Sequence, residues 1–134
     1  MVIAVSTRFW LGNDNEGRST FVQEVFSRLA AQHTEHRFYF LFDQPVHAST
    51  ILPPGVTPIV LGQPARHPLL WKWWYDVSLP RVLKKIGADV LVSPDGFASL
   101  TTKVPQCLLV NSLHFLYDKQ DYPPSHLLFY KFFI

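Results

Sequence analysis

Hydrophobic positions in this chain fall into short blocks separated by polar, Gly- and Pro-rich intervals, and the blocks are of two kinds. Val2-Ile-Ala-Val-Ser6, Arg37-Phe-Tyr-Phe-Leu-Phe42, Val90-Leu-Val92 and Cys107-Leu-Leu-Val110 are continuous apolar runs, the pattern of parallel strands buried on both faces. Phe21, Val25, Phe26, Leu29 and Ala30 instead recur at helical spacing and predict a helix beginning near Ser19 or Thr20. The stretch from Leu69 to Ile86 is also helical on pattern, with Leu70, Trp73, Trp74 and Val77 on one side. Pro80 is expected to kink or restart that helix, Ser78 to cap its second half, and Gly87 to end it. Ser125 is expected to cap a last helix from His126 onward.

A further run, Val56 to Leu61, lies between Pro54-Gly55 and Gly62-Gln-Pro64. Pro58 inside it cannot donate to a ladder and argues for an edge strand. The succession of strand, helix, strand, strand, helix, strand, strand, helix predicts an α/β domain with a mostly parallel, doubly wound sheet. The strand at 56–61 is reached by a loop in place of a full helix. No repeat, low-complexity segment or linker divides the chain, so residues 1–134 read as one domain.

In such a sheet the ligand crevice lies beyond the carboxyl ends of the strands. Ser93 to Ala98 and Asn111 to Tyr117 would then face it, as would the start of the helix after Arg18. The loop from Thr7 to Arg18 holds Gly12, Asn13, Asp14, Asn15 and Gly17. A strand, a Gly-containing loop and a helix N-terminus can together hold an anion; a plain flexible connection has the same composition, and both readings stand.

Composition narrows the field. A net charge of +2, from twelve Lys and Arg against ten Asp and Glu, with no basic run, does not call for nucleic acid. The apolar runs fall short of the ~20 residues that span a bilayer, and no signal-peptide layout opens the chain, which points to a cytoplasmic protein. The single cysteine, Cys107, sits in an apolar run and reads as a free buried thiol. Trp71, Lys72, Trp74, Tyr75, Arg81, Lys84 and Lys85 fit either packing on the sheet or peripheral contact with the inner membrane face.

Candidate chemistry is sparse. None of the six histidines pairs at metal-ligand spacing, so no metal and no cofactor is expected. No G-x-S-x-G is present, and Cys107 lies mid-strand. What remains are polar residues at predicted strand ends: Asp95, Asn111, Ser112 and His114. Asp95-Gly96 also reads as a turn, and His114 as a half-buried histidine.

The ordered run Phe40-Leu-Phe-Asp-Gln-Pro45, Gly62-Gln-Pro-Ala-Arg-His-Pro-Leu-Leu-Trp71, Ser78-Leu-Pro-Arg-Val-Leu83 and Ala88-Asp-Val-Leu-Val-Ser-Pro-Asp-Gly-Phe97 resembles the N-terminal half of family 4 retaining glycosyltransferases of GT-B architecture. Val104-Pro-Gln106, Phe115-Leu-Tyr117, Tyr122-Pro123 and Phe129-Tyr130 extend the resemblance over nearly the whole chain. It implies a Rossmann-like domain with helices on both faces. It also implies transfer of a sugar from a nucleotide-sugar to a glycan or lipid-linked acceptor, with retention and without metal.

By that resemblance Glu16, Gly17, Arg18 and Ser19 form the donor-phosphate loop, with Arg18-Ser19 where the family has Ile-Gly. Asn111 and Ser112 take the catalytic positions, where the family has His-Asp, and Asp95, Gly96 and His114 line the acceptor side. The resemblance implies a second, nucleotide-gripping domain, so this stretch is expected to be truncated and inactive alone. The departure at Asn111-Ser112 favours the alternative of a degenerate binding or assembly module. Phe129, Phe132, Phe133 and Ile134 are expected to form an apolar surface through which the fragment self-associates.

Overall fold

A computed structural model describes residues 1–11, 17–62, 67–111, 113–117, 120 and 123–133. Its centre is an all-parallel sheet of β1 (Val2–Ser6), β2 (Arg37–Phe42), β3 (Val56–Val60), β4 (Val90–Ser93) and β5 (Gln106–Leu108), in the order β3-β2-β1-β4-β5. Helices cover both faces, as expected of a Rossmann-like α/β fold. On one face α1 (Arg18–Gln32) lays Val22, Phe26 and Ala30 over Val5, Phe38, Phe40 and Phe42. On the other, α3 (Leu79–Ile86) and the turn before it bring Trp74, Tyr75, Leu79 and Leu83 onto Ala4, Leu41 and Leu91. The runs are apolar throughout because consecutive strand residues enter opposite cores.

The residues that punctuate the chain act as their chemistry requires. Pro58 lies in β3 at the sheet edge, where its missing N–H costs no ladder bond. Residues 43–55, which carry no helix, make the crossover from β2 to β3. Gly87 ends α3 at φ 64°, and Ala88 N–H donates to the Leu83 carbonyl at 2.9 Å, closing the helix with a left-handed cap.

The second helical segment departs from the expected face. α2 (Pro68–Trp73) passes into a π-helical turn over Trp74–Ser78 before α3 begins. Pro80 explains the widening. It has no N–H for the Asp76 carbonyl four residues back, and its ring crowds that carbonyl. Thr101 Oγ1 takes over, donating to Asp76 O at 2.7 Å. The extra residue in the turn buries two successive aromatics, Trp74 and Tyr75, and leaves Trp73 51% exposed. Ser78 has helical backbone angles and makes no side-chain cap. With Trp74 and Tyr75 inside, two of the aromatics invoked for membrane contact belong to the core. Among the described residues no helix is long and apolar enough to cross a membrane.

Three smaller expectations are corrected. α1 starts at Arg18, ahead of Ser19, and turns Phe21 and Val25 partly to solvent because the seam on the sheet follows Val22, Phe26 and Ala30. Cys107 is exposed because β5 is a three-residue edge strand. The last helix, α5, spans Pro124–Phe133, with the Pro123 carbonyl accepting from His126 and Leu127 N–H, so Ser125 is inside it. A short helix, α4 (His114–Tyr117), precedes α5. The side chains of Phe129, Phe132 and Phe133, and all of Ile134, lie outside the described residues.

The π-helical turn makes a measurable distinction between neighbouring tryptophans. Trp74→Ala should cost about 3–5 kcal/mol, as for a large core aromatic, and Trp73→Ala should stay within about 1 kcal/mol. Urea unfolding of the two variants checks this; equal costs would mean that the helix runs through without the extra residue.

Candidate functional site

The order of winding reverses between β1 and β4, and loops leaving two such strands form the crevice of an open parallel sheet. The loop after β1 is held down at once. Thr7 donates to the Leu41 carbonyl through both its N–H, at 2.9 Å, and its hydroxyl, at 3.0 Å. A turn closed by Trp10 N–H on the Thr7 carbonyl then sends the Trp10 ring onto Phe40, 5.1 Å away, and Phe42. This segment reads as polar loop in the sequence, yet Thr7, Arg8 and Trp10 are all buried.

Arg8 enters the core on the opposite side of the sheet. Its guanidinium lies 5.0 Å from the Phe9 and Trp71 ring centres, 5.7 Å from Phe97 and 5.8 Å from Tyr75. Its Nε sits 3.2 Å from Asp95 Oδ2, and both side chains are all but sealed from water, at 4% and 0% exposure. Ser93 Oγ donates to Asp95 Oδ1, and the Tyr75 hydroxyl donates to Oδ2. Each partner offsets part of the cost of burying charge. Burial pushes the Tyr75 hydroxyl well above the ordinary tyrosine value, and the neighbouring Asp95 carboxylate pushes the same way against a smaller opposing pull from Arg8.

Ser93 and Gly96 bracket a tight turn, closed by Gly96 N–H on the Ser93 carbonyl at 3.3 Å, with Pro94 and Asp95 at its centre. Gly96 has φ 79°, and a Cβ there would come 3.3 Å from the Leu109 carbonyl oxygen. The positive φ favours glycine, and a side chain would also ask the Leu109 carbonyl to give by a few tenths of an ångström. The far side of the same turn holds Asn111, whose Nδ2 donates to the Pro94 carbonyl at 2.7 Å. Below it, Gln106 clamps Ser99 through two bonds, receiving from its N–H at 2.7 Å and donating to its carbonyl at 2.9 Å.

An open cleft of about 220 Å³ is lined by Gly17, Arg18, Phe21 and Asn111. Gly17, at φ 72°, precedes α1 with no side-chain cap, and a Cβ there would meet nothing within 4 Å. Arg18 places its guanidinium 5.3 Å from the Phe9 ring centre. Ser19 lies in the first turn of α1, its Oγ 3.5 Å from Gln23 Nε2. Among the described residues no group of three or more His, Cys, Asp or Glu is placed to hold a metal ion.

The structure thus brings Gly17, Arg18 and Asn111 to one cleft, from opposite ends of the chain. Asp95 is not on its surface: the carboxylate expected to meet an acceptor is turned inward and used by Ser93, Tyr75 and Arg8. Gly96 packs on the backbone of Leu109 and Val110, just after β5. Glu16 and Ser112 lie outside the described residues, and of His114 only the backbone, at the start of α4, is described. The sequence does not single out Arg8, and it marks Ser93 only as the start of a crevice-facing loop and Tyr75 only among the aromatics for sheet packing or membrane contact. The available signal for Arg8 was a lone cation between Thr7 and two aromatics directly after a strand.

Comparison with protein-family models, with curated proteins and with solved structures returns no match. The site is therefore read from its own geometry.

Two serines at equivalent strand ends offer a matched test. Extending the β1–β4 register pairs Ser6 with Ser93 on the Tyr75 face. Ser6 Oγ is buried with no hydrogen-bond partner among the described residues, whereas Ser93 Oγ serves Asp95. Ser93→Ala should cost about 1–3 kcal/mol and Ser6→Ala nothing or less than nothing; chemical denaturation of both reads the difference. A second test concerns alkali. Unfolded Tyr75 loses its proton near the ordinary value of 10.0, and the folded chain keeps it higher. Above that pH the unfolded state binds fewer protons, so stability falls as pH rises, by up to about 1.4 kcal/mol per unit. Tyr75→Phe should flatten this slope between pH 10 and 11; an unchanged slope would place its origin elsewhere.

Proposed function

We propose that this chain is the acceptor-side, N-terminal domain of a retaining glycosyltransferase of GT-B architecture, which moves a sugar from a nucleotide-sugar to an acceptor. The observation that supports the reading is the shared cleft of Gly17, Arg18 and Asn111. The sequence resemblance assigns these residues to donor-phosphate and catalytic positions, and they come from segments more than ninety positions apart in the chain.

Each has a chemistry suited to that task. Arg18 carries a fixed positive charge at the start of α1, where backbone N–H groups add to the attraction for phosphate oxygens. Gly17 exposes its backbone without a side chain in the way. Asn111 commits one amide hydrogen to Pro94 and keeps its Oδ1 as an acceptor for a sugar hydroxyl. An asparagine here cannot carry charge, so it would orient the donor sugar and present a dipole to the reacting carbon. The acceptor hydroxyl would enter over the β4–β5 side. A cleft this open buries little of a ligand, and tight donor binding would need a second wall.

One specific observation favours a second reading. Asn111-Ser112 stands where the resembling family has His-Asp, which suits a binding or assembly module that keeps the fold without the reaction.

Titration of the chain with UDP-, GDP- and ADP-sugars, followed by amide NMR, separates the readings. The enzyme-domain reading expects one nucleotide class to shift Gly17, Arg18 and Asn111 at about millimolar concentration, roughly 4 kcal/mol of binding. Arg18→Ala should weaken that shift about tenfold. Silence across all three nucleotides would leave the binding-module reading in its place.

A further inference from the structure

The two walls of the cleft come from different elements, and both lead back to the same buried pair. On the α1 side, two guanidinium groups lie over the Phe9 ring, Arg8 at 5.0 Å and Arg18 at 5.3 Å from its centre. The ring attracts both cations, so where Arg8 holds Phe9 bears on where Arg18 sits. On the β5 side, Asn111 Nδ2 bonds the Pro94 carbonyl. That carbonyl belongs to the peptide unit joining Pro94 to Asp95, which is planar and turns as one body. Whatever orients Asp95 therefore orients the acceptor that holds Asn111. Asp95 is oriented by Ser93, Tyr75 and Arg8, and its side chain is fully buried.

We infer that the Arg8–Asp95 pair is a single buried pivot that positions both walls of the cleft, Arg18 through the Phe9 ring and Asn111 through the Pro94–Asp95 peptide. Arg8 is then a positioning residue for a site that it does not itself line. Because both branches start from one pair, the two walls respond together to any change at Arg8. They respond separately to changes further out along either branch. The charge and the hydrogen-bonding amide of the cleft thereby keep a constant spacing, as recognition of a ligand with an anionic end and a hydroxylated end requires. That the ligand is a nucleotide-sugar rests on the reading proposed above; the pivot does not.

The test uses the free chain and two side-chain signals, the Nε–H of Arg18 and the amide of Asn111, in nitrogen-15 NMR. Arg8→Met keeps the length of the side chain and removes the charge, and should shift or broaden both signals. Phe9→Leu leaves the ion pair intact and should move Arg18 alone. Asp95→Asn keeps the shape of the turn but removes the other charge of the pair and should move both signals, whereas Val60→Thr, on the edge strand β3, should move neither. A folded Arg8→Met protein with both signals unmoved overturns the inference. So does a Phe9→Leu protein whose Asn111 amide moves as far as its Arg18 signal. If Arg8→Met does not fold, Asp95→Asn and Phe9→Leu decide: both signals moving in Asp95→Asn with Arg18 alone moving in Phe9→Leu supports the pivot, and any other pattern overturns it. The nucleotide-sugar titration is read independently. Silence there with the branch pattern intact removes the proposed ligand and leaves the pivot standing.

Discussion

A cation and a carboxylate withdrawn from water at the mouth of the sheet constrain everything around them. Arg8 and Asp95 are nearly sealed, and two bare charges in that position would cost several kcal/mol each. The chain meets this by surrounding them. Tyr75 and Ser93 complete the carboxylate's hydrogen bonds, while Phe9, Trp71, Tyr75 and Phe97 put aromatic rings about the guanidinium. The demand for those neighbours dictates local structure. Tyr75 has to point inward beside Trp74, and the turn widened at Pro80 brings both rings to the core. Gly96 has to turn the chain beside Leu109 and Val110.

Much of the fold is legible in the sequence because it depends on residues with one strong physical preference. An apolar run such as Val2 to Ser6 reads as a strand, Pro58 fits a sheet edge, and Gly87 supplies a left-handed stop. The π-helical turn was not legible, because hydrophobic periodicity assumes a constant 3.6 residues per turn and one inserted residue breaks the count. That is why the predicted buried face takes in Trp73 and leaves out Tyr75. Cys107 fails for another reason: an apolar run says nothing about how many neighbours its strand has, and β5 is short and at the edge.

The candidate site divides along the same line. Gly17, Arg18 and Asn111 could be placed from position alone, at the ends of elements facing the crevice. Arg8, Ser93 and Tyr75 could not, since their role lies in contacts among three distant segments that no local pattern encodes. Asp95 was noticed for the right reason, a carboxylate at a strand end, and given the wrong direction. Its neighbour Gly96 makes a turn that aims the carboxylate down into the fold.

The widened turn at Trp74–Ser78 also has a meaning for how this chain lines up with others of its fold. Straightening the turn without removing a residue would wind α2 round by about 100° relative to α3. Trp73 and Tyr75 would then change places relative to the core, whereas deleting one residue within the turn would give an ordinary helix with α2 and α3 nearly as they stand. Any alignment drawn through this region must carry a one-residue gap against chains with an uninterrupted helix. Residues before and after that gap then belong to different numbering frames, and motifs on its two sides cannot be compared at a fixed spacing.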